Sequence, residues 1–427
     1  MGRLFGTDGV RGLANADLTP ELALALSSSA ARVLGARRAV VGRDTRASGE
    51  LLEAAVVAGL ASAGCSVGRL GVLPTPGVAF AVGALGADLG VMLSASHNPM
   101  PDNGVKFFDA SGYKLPDSLE DEVSAAMGAD WSRPTGASVG RVVDDAAAVE
   151  SYVSHLVSTA APLDGLRVVV DCAHGAASTV APAALRELGA SVTAIAAEPD
   201  GLNINESCGS THPEALVARV LAEGADVGVA HDGDADRCLM VTSTGELVDG
   251  DQLLAILAVD RAAPAVVATV MANLGFKRAM ASYGIEVVET AVGDRYVLEA
   301  MRSRGIALGG EQSGHVILAD HSTTGDGVLT ALQVLSVMAR TGRTLADLAS
   351  VMERLPQVLV NVRVADKSAA LDAARDAVAE AEAELGDEGR VLVRPSGTEP
   401  LVRVMVEATS EETARAVAER VAAVVGV

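Results

Sequence analysis

Aromatic side chains are nearly missing from this chain: Phe, Tyr and Trp make up 2% of 427 residues, and Trp131 is the single tryptophan. Stacking platforms for nucleic-acid bases are therefore scarce. Lysine is also rare, limited to Lys106, Lys114, Lys277 and Lys367, with arginine supplying the other basic residues. The formal net charge is −22. Such a surface repels a phosphate backbone and argues against nucleic-acid partners. It repels a phosphorylated small molecule as well, so any phosphate site must be locally basic. The four cysteines (Cys65, Cys172, Cys208, Cys238) are far apart and include no C-x-x-C pair, and a large chain with a good core does not need disulfides. No run of 18 apolar residues occurs, so neither a transmembrane helix nor a membrane partner is expected. The opening Met1-Gly-Arg-Leu-Phe-Gly-Thr-Asp-Gly has no positive–apolar–small signal pattern, and a cytoplasmic place is expected.

What is present is apolar and small. Hydrophobic residues make up 49%, so cores of Ala, Val and Leu are expected, divided among two to four domains. Strand-like and helix-like segments alternate, as in a parallel α/β sheet. Thr19-Pro20-Glu21 opens a first helix with a Thr cap and Pro at the first helical position. Strands are expected at 39–42, 67–72 and 88–93, and helices at 51–63 and 76–85. A repeat is visible: Gly86-Ala-Asp-Leu-Gly-Val is echoed by Gly224-Ala-Asp-Val-Gly-Val, and more faintly by Gly305-Ile-Ala-Leu-Gly-Gly310. Each copy runs into a polar loop: Ser94-Ala-Ser-His-Asn-Pro99, Asp232-Gly-Asp-Ala-Asp236 and Glu311-Gln-Ser-Gly-His315. Three similar α/β units are implied, each presenting a loop at the carboxyl end of a strand, where open α/β sheets bind ligands. The tail differs, reading as a small α+β domain with strands at 360–364, 391–393 and 402–406. A helical pattern runs through Leu371, Ala374, Val378, Ala381 and Leu385. Thr409-Ser-Glu-Glu412 is expected to be a capping box opening a last helix.

The loops carry the chemistry. Asp232, Asp234 and Asp236 at alternate positions of an extended segment share a face and converge on one hard cation. The calcium helix–loop–helix reading fails, because Arg237 and Ser243 stand where it needs Gly and Glu. A solvated acidic turn is the plainer alternative. Ser96 beside His97 offers a nucleophile, although a turn with local side-chain hydrogen bonds is an equal reading of that loop alone. Lys106, in an otherwise apolar strand, reads either as a stem packed along a sheet edge or as a proton-transfer group. Ser111-Gly-Tyr-Lys114 matches S-x-x-K, but its companion K-T-G is absent, so that match is set aside. Arg394-Pro-Ser-Gly-Thr-Glu-Pro400, followed by Arg403, gathers backbone N–H groups, hydroxyls and guanidinium groups, the chemistry of a phosphate cradle. Gly309 to His315 offers a carboxylate, an amide, a hydroxyl and an imidazole, groups that suit sugar hydroxyls.

In this order and spacing, from Phe5-Gly-Thr-Asp-Gly-Val-Arg-Gly12 to Arg394-Pro-Ser-Gly-Thr-Glu-Pro-Leu-Val-Arg403, the motifs resemble those of the α-D-phosphohexomutase family over essentially the whole chain. The resemblance implies an α/β fold: three similar α/β domains with mixed, mostly parallel sheets plus a smaller C-terminal α+β domain, around a central cleft. The expected divisions are 1–158 for the phosphoserine loop, 159–255 for the metal loop, 256–358 for the sugar loop and 359–427 for the phosphate loop. It implies that Ser96 carries phosphate, which activity requires. Asp232, Asp234 and Asp236, with a phosphoryl oxygen on Ser96, would hold one Mg²⁺ per chain. Glu311, Ser313 and His315 would hold the sugar, and Arg394, Ser396, Gly397, Thr398 and Arg403 the non-reacting phosphate. Lys106 and His97 would move protons, with Arg11 and Arg237 as cleft cations. The wording of the serine, sugar and phosphate loops is similar to the branch acting on glucosamine phosphates. That branch interconverts the 6- and 1-phosphates through a 1,6-bisphosphate, supplying a precursor for UDP-N-acetylglucosamine and cell wall. The implied partner is a small sugar phosphate, and a homodimer fits the resemblance. Phosphomannomutase/phosphoglucomutase is the nearest alternative. A metal-dependent sugar phosphatase or kinase is a more distant one, and the chain has no G-x-x-x-x-G-K string. A non-catalytic sugar-phosphate sensor, never phosphorylated on Ser96, is a third class.

Overall fold

Thr19 stands in extended conformation and its hydroxyl accepts from Leu22 N, so the first helix begins where Pro20 can fill an N–H-free position. The structure is a computed structural model and describes residues 3–6, 8–396 and 400–426. The chain folds as two units, Met1–Val270 with Ile285–Ser350, and Met271–Gly284 with Val351–Val427.

The first unit begins with β1 (Val10–Leu13), α1 (Pro20–Val33), β2 (Arg38–Arg43), α2 (Ser48–Ser62), β3 (Ser66–Val72), α3 (Thr75–Ala84), β4 (Leu89–Leu93), β5 (Asp102–Asp109), α4 (Asp117–Ala126), β6 (Val142–Asp144) and α5 (Ala148–Ser158). Their sheet has the order β1-β5-β4-β2-β3-β6. It is parallel from β4 to β6 and antiparallel from β4 to β1. Next come β7 (Arg167–Asp171), α6 (Ala177–Glu187), β8 (Ser191–Ile195), α7 (Glu214–Glu223), β9 (Val227–His231), β10 (Cys238–Thr242), β11 (Leu247–Val248) and α8 (Gly250–Asp260), with sheet order β11-β10-β9-β7-β8. A third stretch carries β12 (Ala265–Thr269), α9 (Leu274–Ser282), β13 (Glu286–Thr290), α10 (Asp294–Arg304), β14 (Leu308–Gly310), β15 (Val316–Leu318), α11 (Gly327–Thr341) and α12 (Leu345–Ala349), with sheet order β13-β12-β14-β15.

The three repeated strings are one structural event. Helices α3, α7 and α10 are each followed by a left-handed glycine, Gly86 (φ 59), Gly224 (φ 58) and Gly305 (φ 68), a conformation glycine adopts without steric cost. A strand follows (β4, β9 or β14), then a polar loop, then an antiparallel return (β5, β10 or β15). The first two of these strands are buried along their whole length. Their runs are therefore continuously apolar rather than alternating, and each unit exposes function at the strand's carboxyl end.

The second unit contains α9 together with β16 (Gln357–Arg363), α13 (Lys367–Leu385), β17 (Arg390–Pro395), β18 (Leu401–Glu407) and α14 (Glu411–Val425). Its antiparallel sheet has the order β16-β18-β17. Val402, Val404 and Val406 share a core with Ala381 of α13 and Val417 and Val421 of α14. Buried Glu407 accepts from Leu274 N at 2.9 Å and Arg390 Nε at 2.6 Å, which fastens α9 to this sheet. The last helix starts one residue later than expected from the sequence. Ser410, not Thr409, is the cap and accepts from Thr413 N, so the third helical position is Thr413 and Glu412 closes no box. Among the described residues no helix is long and apolar enough to cross a membrane.

Candidate active site

The serine loop is held from beneath by groups the sequence did not single out. Ser96 lies at φ 51 and is 1% exposed, a left-handed conformation costing a non-glycine residue roughly 1–2 kcal/mol. Arg46 and Asp44, both fully buried, form an ion pair at 2.9 Å at the carboxyl end of β2. Arg46 donates to the carbonyls of Ser96 (3.0 Å), Asn98 (2.7 Å) and Pro99 (2.5 Å). Asn205 Nδ2 donates to the carbonyls of Ser96 (2.9 Å) and Asn98 (3.1 Å). Asp44 accepts from Ser94 Oγ, which accepts from Ser96 N. The loop therefore presents one hydroxyl: Ser96 Oγ donates to Asp232 Oδ2 at 2.6 Å and lies 3.2 Å from His97 Nδ1.

Asp232, Asp234 and Asp236 are buried, with one carboxylate oxygen from each within 4.8 Å of the others. They converge through a tight turn rather than the extended segment expected, with Ala235 N bonded to Asp232 O and Ala235 at φ 56. Burial pushes the pKa of Asp232 well up, and Asp236 and Asp234 push the same way. Asp236 is also raised, by burial and by Asp234. Burial opposes ionisation of Asp234 too, but Lys106 and the Thr75 hydroxyl outweigh it, and its pKa falls below the usual carboxylate range. Thr75 Oγ1 and Lys106 Nζ reach Asp234 Oδ2 at 2.5 and 2.8 Å.

Lys106 is 1% exposed on β5, which is an interior strand, so the sheet-edge reading of this lysine fails. Its ammonium bridges Asp234 and Asp8 Oδ2, the latter at 2.9 Å. Burial disfavours the ammonium, yet Asp234 and Asp8 raise its pKa overall. His97 behaves oppositely: burial first, then Arg237 and Arg11, push its pKa down to about 4. Arg11 pairs with Asp8 and donates to Ala95 O (3.1 Å) and Asn98 Oδ1 (3.3 Å). Arg237 Nε lies 3.9 Å from Asp232 and 3.8 Å from Asp236.

The third loop belongs to the same cluster. His315 Nε2 is 3.9 Å from Asp236 and 3.8 Å from Asp294. Among the described residues, Ser313 Oγ and both His315 ring nitrogens are buried without hydrogen-bond partners. Glu311 accepts from Gly293 N at 3.1 Å and adds to the negative field on Arg237. In the second unit, Arg394 and Arg403 stand opposite each other across β17 and β18. Burial, then Arg403, lower the pKa of Arg394. Ser396 O accepts from Lys367 Nζ at 2.8 Å. Gly397 and Thr398 lie outside the described residues. Sequence reasoning gave no role to Asp8, Asp44, Arg46, Thr75, Asn205 or Asp294. Two signals were present: Asp8 stands inside the Phe5–Gly12 motif, and the Asp44–Arg46 string follows an apolar strand just as the three recognised loops do.

A cation fits the aspartate turn on its own chemistry. Among the described residues, Asp234 Oδ1 and Asp236 Oδ1 are buried without hydrogen-bond partners. Oxygen donors of this kind suit a hard divalent ion, and grouped carboxylates are costly to bury without a counter-charge.

Residues 2–132, 150–245, 249–355 and 359–424 match, in turn, domains I, II, III and the C-terminal domain of the phosphoglucomutase/phosphomannomutase family. The phosphoglucosamine mutase of Saccharopolyspora erythraea is 64% identical over 440 residues, spanning 100% of this chain and 99% of that protein. A phosphoglucomutase/phosphomannomutase family protein from Burkholderia thailandensis has the same fold, with TM-score 0.84, 25% identity and coverage of 98% of this chain and 96% of the other. The Aspergillus fumigatus N-acetylphosphoglucosamine mutase, solved with GlcNAc-6P and magnesium, shares the fold at TM-score 0.69 and 19% identity, with coverage of 99% and 96%. The chain belongs to the phosphoglucomutase/phosphomannomutase family, the α-D-phosphohexomutases, and within it to the phosphoglucosamine mutases.

Proposed function

We propose that the chain interconverts glucosamine 6-phosphate and glucosamine 1-phosphate, with Ser96 as the phosphoryl carrier. The observation that carries this reading is one hydroxyl, Ser96 Oγ, fixed 2.6 Å from a carboxylate of a buried aspartate triad. In the first half, the phosphorus–Oγ bond on Ser96 breaks and a bond to the sugar O1 forms, while the O1 hydroxyl gives up its proton. In the second half, the 6-phosphoryl group of the bisphosphate moves to Ser96 Oγ, and O6 takes a proton back. Lys106 is held as an ammonium and suits the donor role, whereas His97 is a neutral imidazole 3.2 Å from Ser96 Oγ and suits the acceptor role. Arg11, Arg237 and Lys106 offset charge on the moving group, where electrostatics supply most of the catalysis.

Asp232, Asp234 and Asp236 are the residues that would hold one Mg²⁺, which when bound adds a further positive charge beside a phosphoryl oxygen on Ser96. Glu311, Ser313 and His315 are assigned to sugar hydroxyls. Arg394, Ser396, Gly397, Thr398 and Arg403 are assigned to the phosphate not being transferred. Division at 158/159 and 358/359 leaves every domain with a single loop of its own, and the middle division, expected at 255/256, falls inside α8 and is better placed before that helix.

The test is a steady-state comparison of glucosamine 6-phosphate, glucose 6-phosphate and mannose 6-phosphate, each primed with the matching 1,6-bisphosphate. The proposal expects the highest kcat/KM with the amino sugar and no net release of inorganic phosphate. A higher value with mannose or glucose would reassign the substrate, and stoichiometric phosphate release would make the protein a phosphatase.

A further inference from the structure

The Ser111-Gly-Tyr-Lys114 string takes no part in the reaction above, yet its turn is anchored on several sides. After β5, Asp109 Oδ1 accepts from Ser111 N (2.8 Å) and Tyr113 N (3.1 Å). Gly112 then takes φ +77, and a Cβ there would lie 2.7 Å from Ala79 O. The chain doubles back so that Lys114 bridges to Phe108. Three contacts run from this turn to the third α/β repeat. Gly112 O accepts from Thr323 Oγ1 at 2.6 Å. The Arg302 guanidinium lies 4.2 Å from the centre of the Tyr113 ring. Lys114 Nζ donates to Asp294 Oδ2, at the start of α10.

The same ammonium also reaches back into the first repeat. Lys114 Nζ donates to Asp8 Oδ1 at 2.5 Å, while the other oxygen of that carboxylate holds Lys106 Nζ at 2.9 Å. On its far side, Asp294 Oδ2 lies 3.8 Å from His315 Nε2. Lys114 is thus the middle link of a chain of ion pairs, Lys106–Asp8–Lys114–Asp294, that starts at the proton-donating lysine and ends on a carboxylate facing the sugar-loop histidine, within 3.8 Å of His315 Nε2 but not hydrogen-bonded to it. Its side chain is only 9% exposed, and it makes no ion pair with Asp232, Asp234 or Asp236 among the described contacts. Burying such charges carries a desolvation cost that tight pairing only partly offsets, so stability alone is a poor reason for the arrangement.

We infer that Lys114 is a positioning residue that fixes Lys106 and His315 relative to each other, through Asp8 and Asp294, and so couples the serine-bearing repeat to the sugar-loop repeat. The consequence for turnover rests on the mutase reading, but the geometric claim does not. A displacement of about 1 Å at either end is enough to cost roughly 10²-fold in rate.

The experiment compares wild type, Lys114→Met, Lys114→Arg, Asp294→Asn and the Lys114→Met/Asp294→Asn double variant. kcat is normalised to the Ser96 phosphorylated in each preparation. Lys114→Met is expected to lose roughly 10²-fold in kcat with KM changed by less than about threefold, since an interaction expressed in the transition state lowers kcat and kcat/KM together. Lys114→Arg, which keeps a cation between two carboxylates, is expected to recover most of the loss. The double variant should be no slower than Lys114→Met, because both changes cut one link. Crystal structures of Lys114→Met and Asp294→Asn supply a readout independent of any sugar assay. Lys106 Nζ should leave Asp8 in the first variant, and His315 should turn in both. Unmoved Lys106 and His315 side chains, or full kcat per phosphorylated Ser96 in Lys114→Met, would overturn the inference. Absence of mutase activity in the wild type would instead remove the functional reading and leave the structural test standing.

Discussion

The serine loop and the sugar loop sit at the ends of equivalent strands and are built in opposite ways. Around Ser96 the backbone is over-determined: Arg46 and Asn205 together take the carbonyls of Ser96, Asn98 and Pro99, and Asp44 locks the Ser94 hydroxyl. Around Ser313 and His315 the backbone is anchored, by Gly250 N to Gln312 O and Cys238 N to Gly314 O, but among the described residues the Ser313 hydroxyl and both His315 ring nitrogens make no hydrogen bond. A group that must react in line is held in one place. Two groups suited to recognising hydroxyls, on Ser313 and His315, are left free of hydrogen bonds, because an internal bond would have to be broken first, and the nearby Asp294 carboxylate orients His315 only from 3.8 Å.

The largest expected effect tests the fixed loop at its tip. Ser96→Ala is expected to lower mutase turnover by roughly 10⁴-fold or more, as loss of a covalent carrier does, measured with bisphosphate in excess. Next is the support. Arg46→Met leaves Asp44 buried and unpaired, and chemical denaturation should show a loss of about 3–5 kcal/mol, with kcat per folded molecule also reduced. If Arg46→Met kept both stability and rate, the loop would not be held as described. On the sugar side, His315→Asn and Ser313→Ala are expected to raise KM for glucosamine 6-phosphate by about tenfold, near 1.4 kcal/mol for one hydrogen bond, with little change in melting temperature. A stability loss equal to that of Arg46→Met would erase the contrast between the loops. A smaller effect concerns acid. His231, buried beside the aspartate turn with Nδ1 3.0 Å from Arg237 O, has its pKa pushed down by burial to about 4, from 6.5 when unfolded. Between those values the unfolded chain binds a proton that the folded chain refuses, so this contribution to stability is lost as pH falls from 6.5 towards 4. His231→Asn, which retains a donor for Arg237 O, should lose less denaturation midpoint between about pH 7 and about pH 5 than wild type; parallel losses would exclude His231 as the source.

Much of this was legible in the sequence. The Gly-Ala-Asp-Leu-Gly-Val echo gave the repeated helix–strand–loop because a left-handed glycine and a buried strand both leave strong local signatures. The aspartate triad was legible as a ligand set, although the turn that gathers it depends on Ala235 in a left-handed conformation that alternate spacing does not announce. What stayed hidden was support that local pattern cannot encode. Arg46, Asn205 and Asp294 act across distant stretches of chain, and only the folded sheets bring them to Ser96 and His315. Lys114 is hidden in the sequence because its tetrapeptide matches an unrelated motif, while its burial between Asp8 and Asp294 depends on a turn closed by Gly112. The Ser410 cap was missed by one residue, since Thr409 and Ser410 are both competent caps and β18 determines where the chain turns.

The most direct test of the central claim is intact-protein mass spectrometry with peptide mapping, before and after adding glucosamine 6-phosphate and Mg²⁺. The account predicts one phosphate, on Ser96, that is lost to or exchanged with the sugar while every other peptide stays unmodified. A chain that turns over substrate without ever carrying phosphate on Ser96, or that stays unphosphorylated after treatment with a sugar 1,6-bisphosphate, would contradict it.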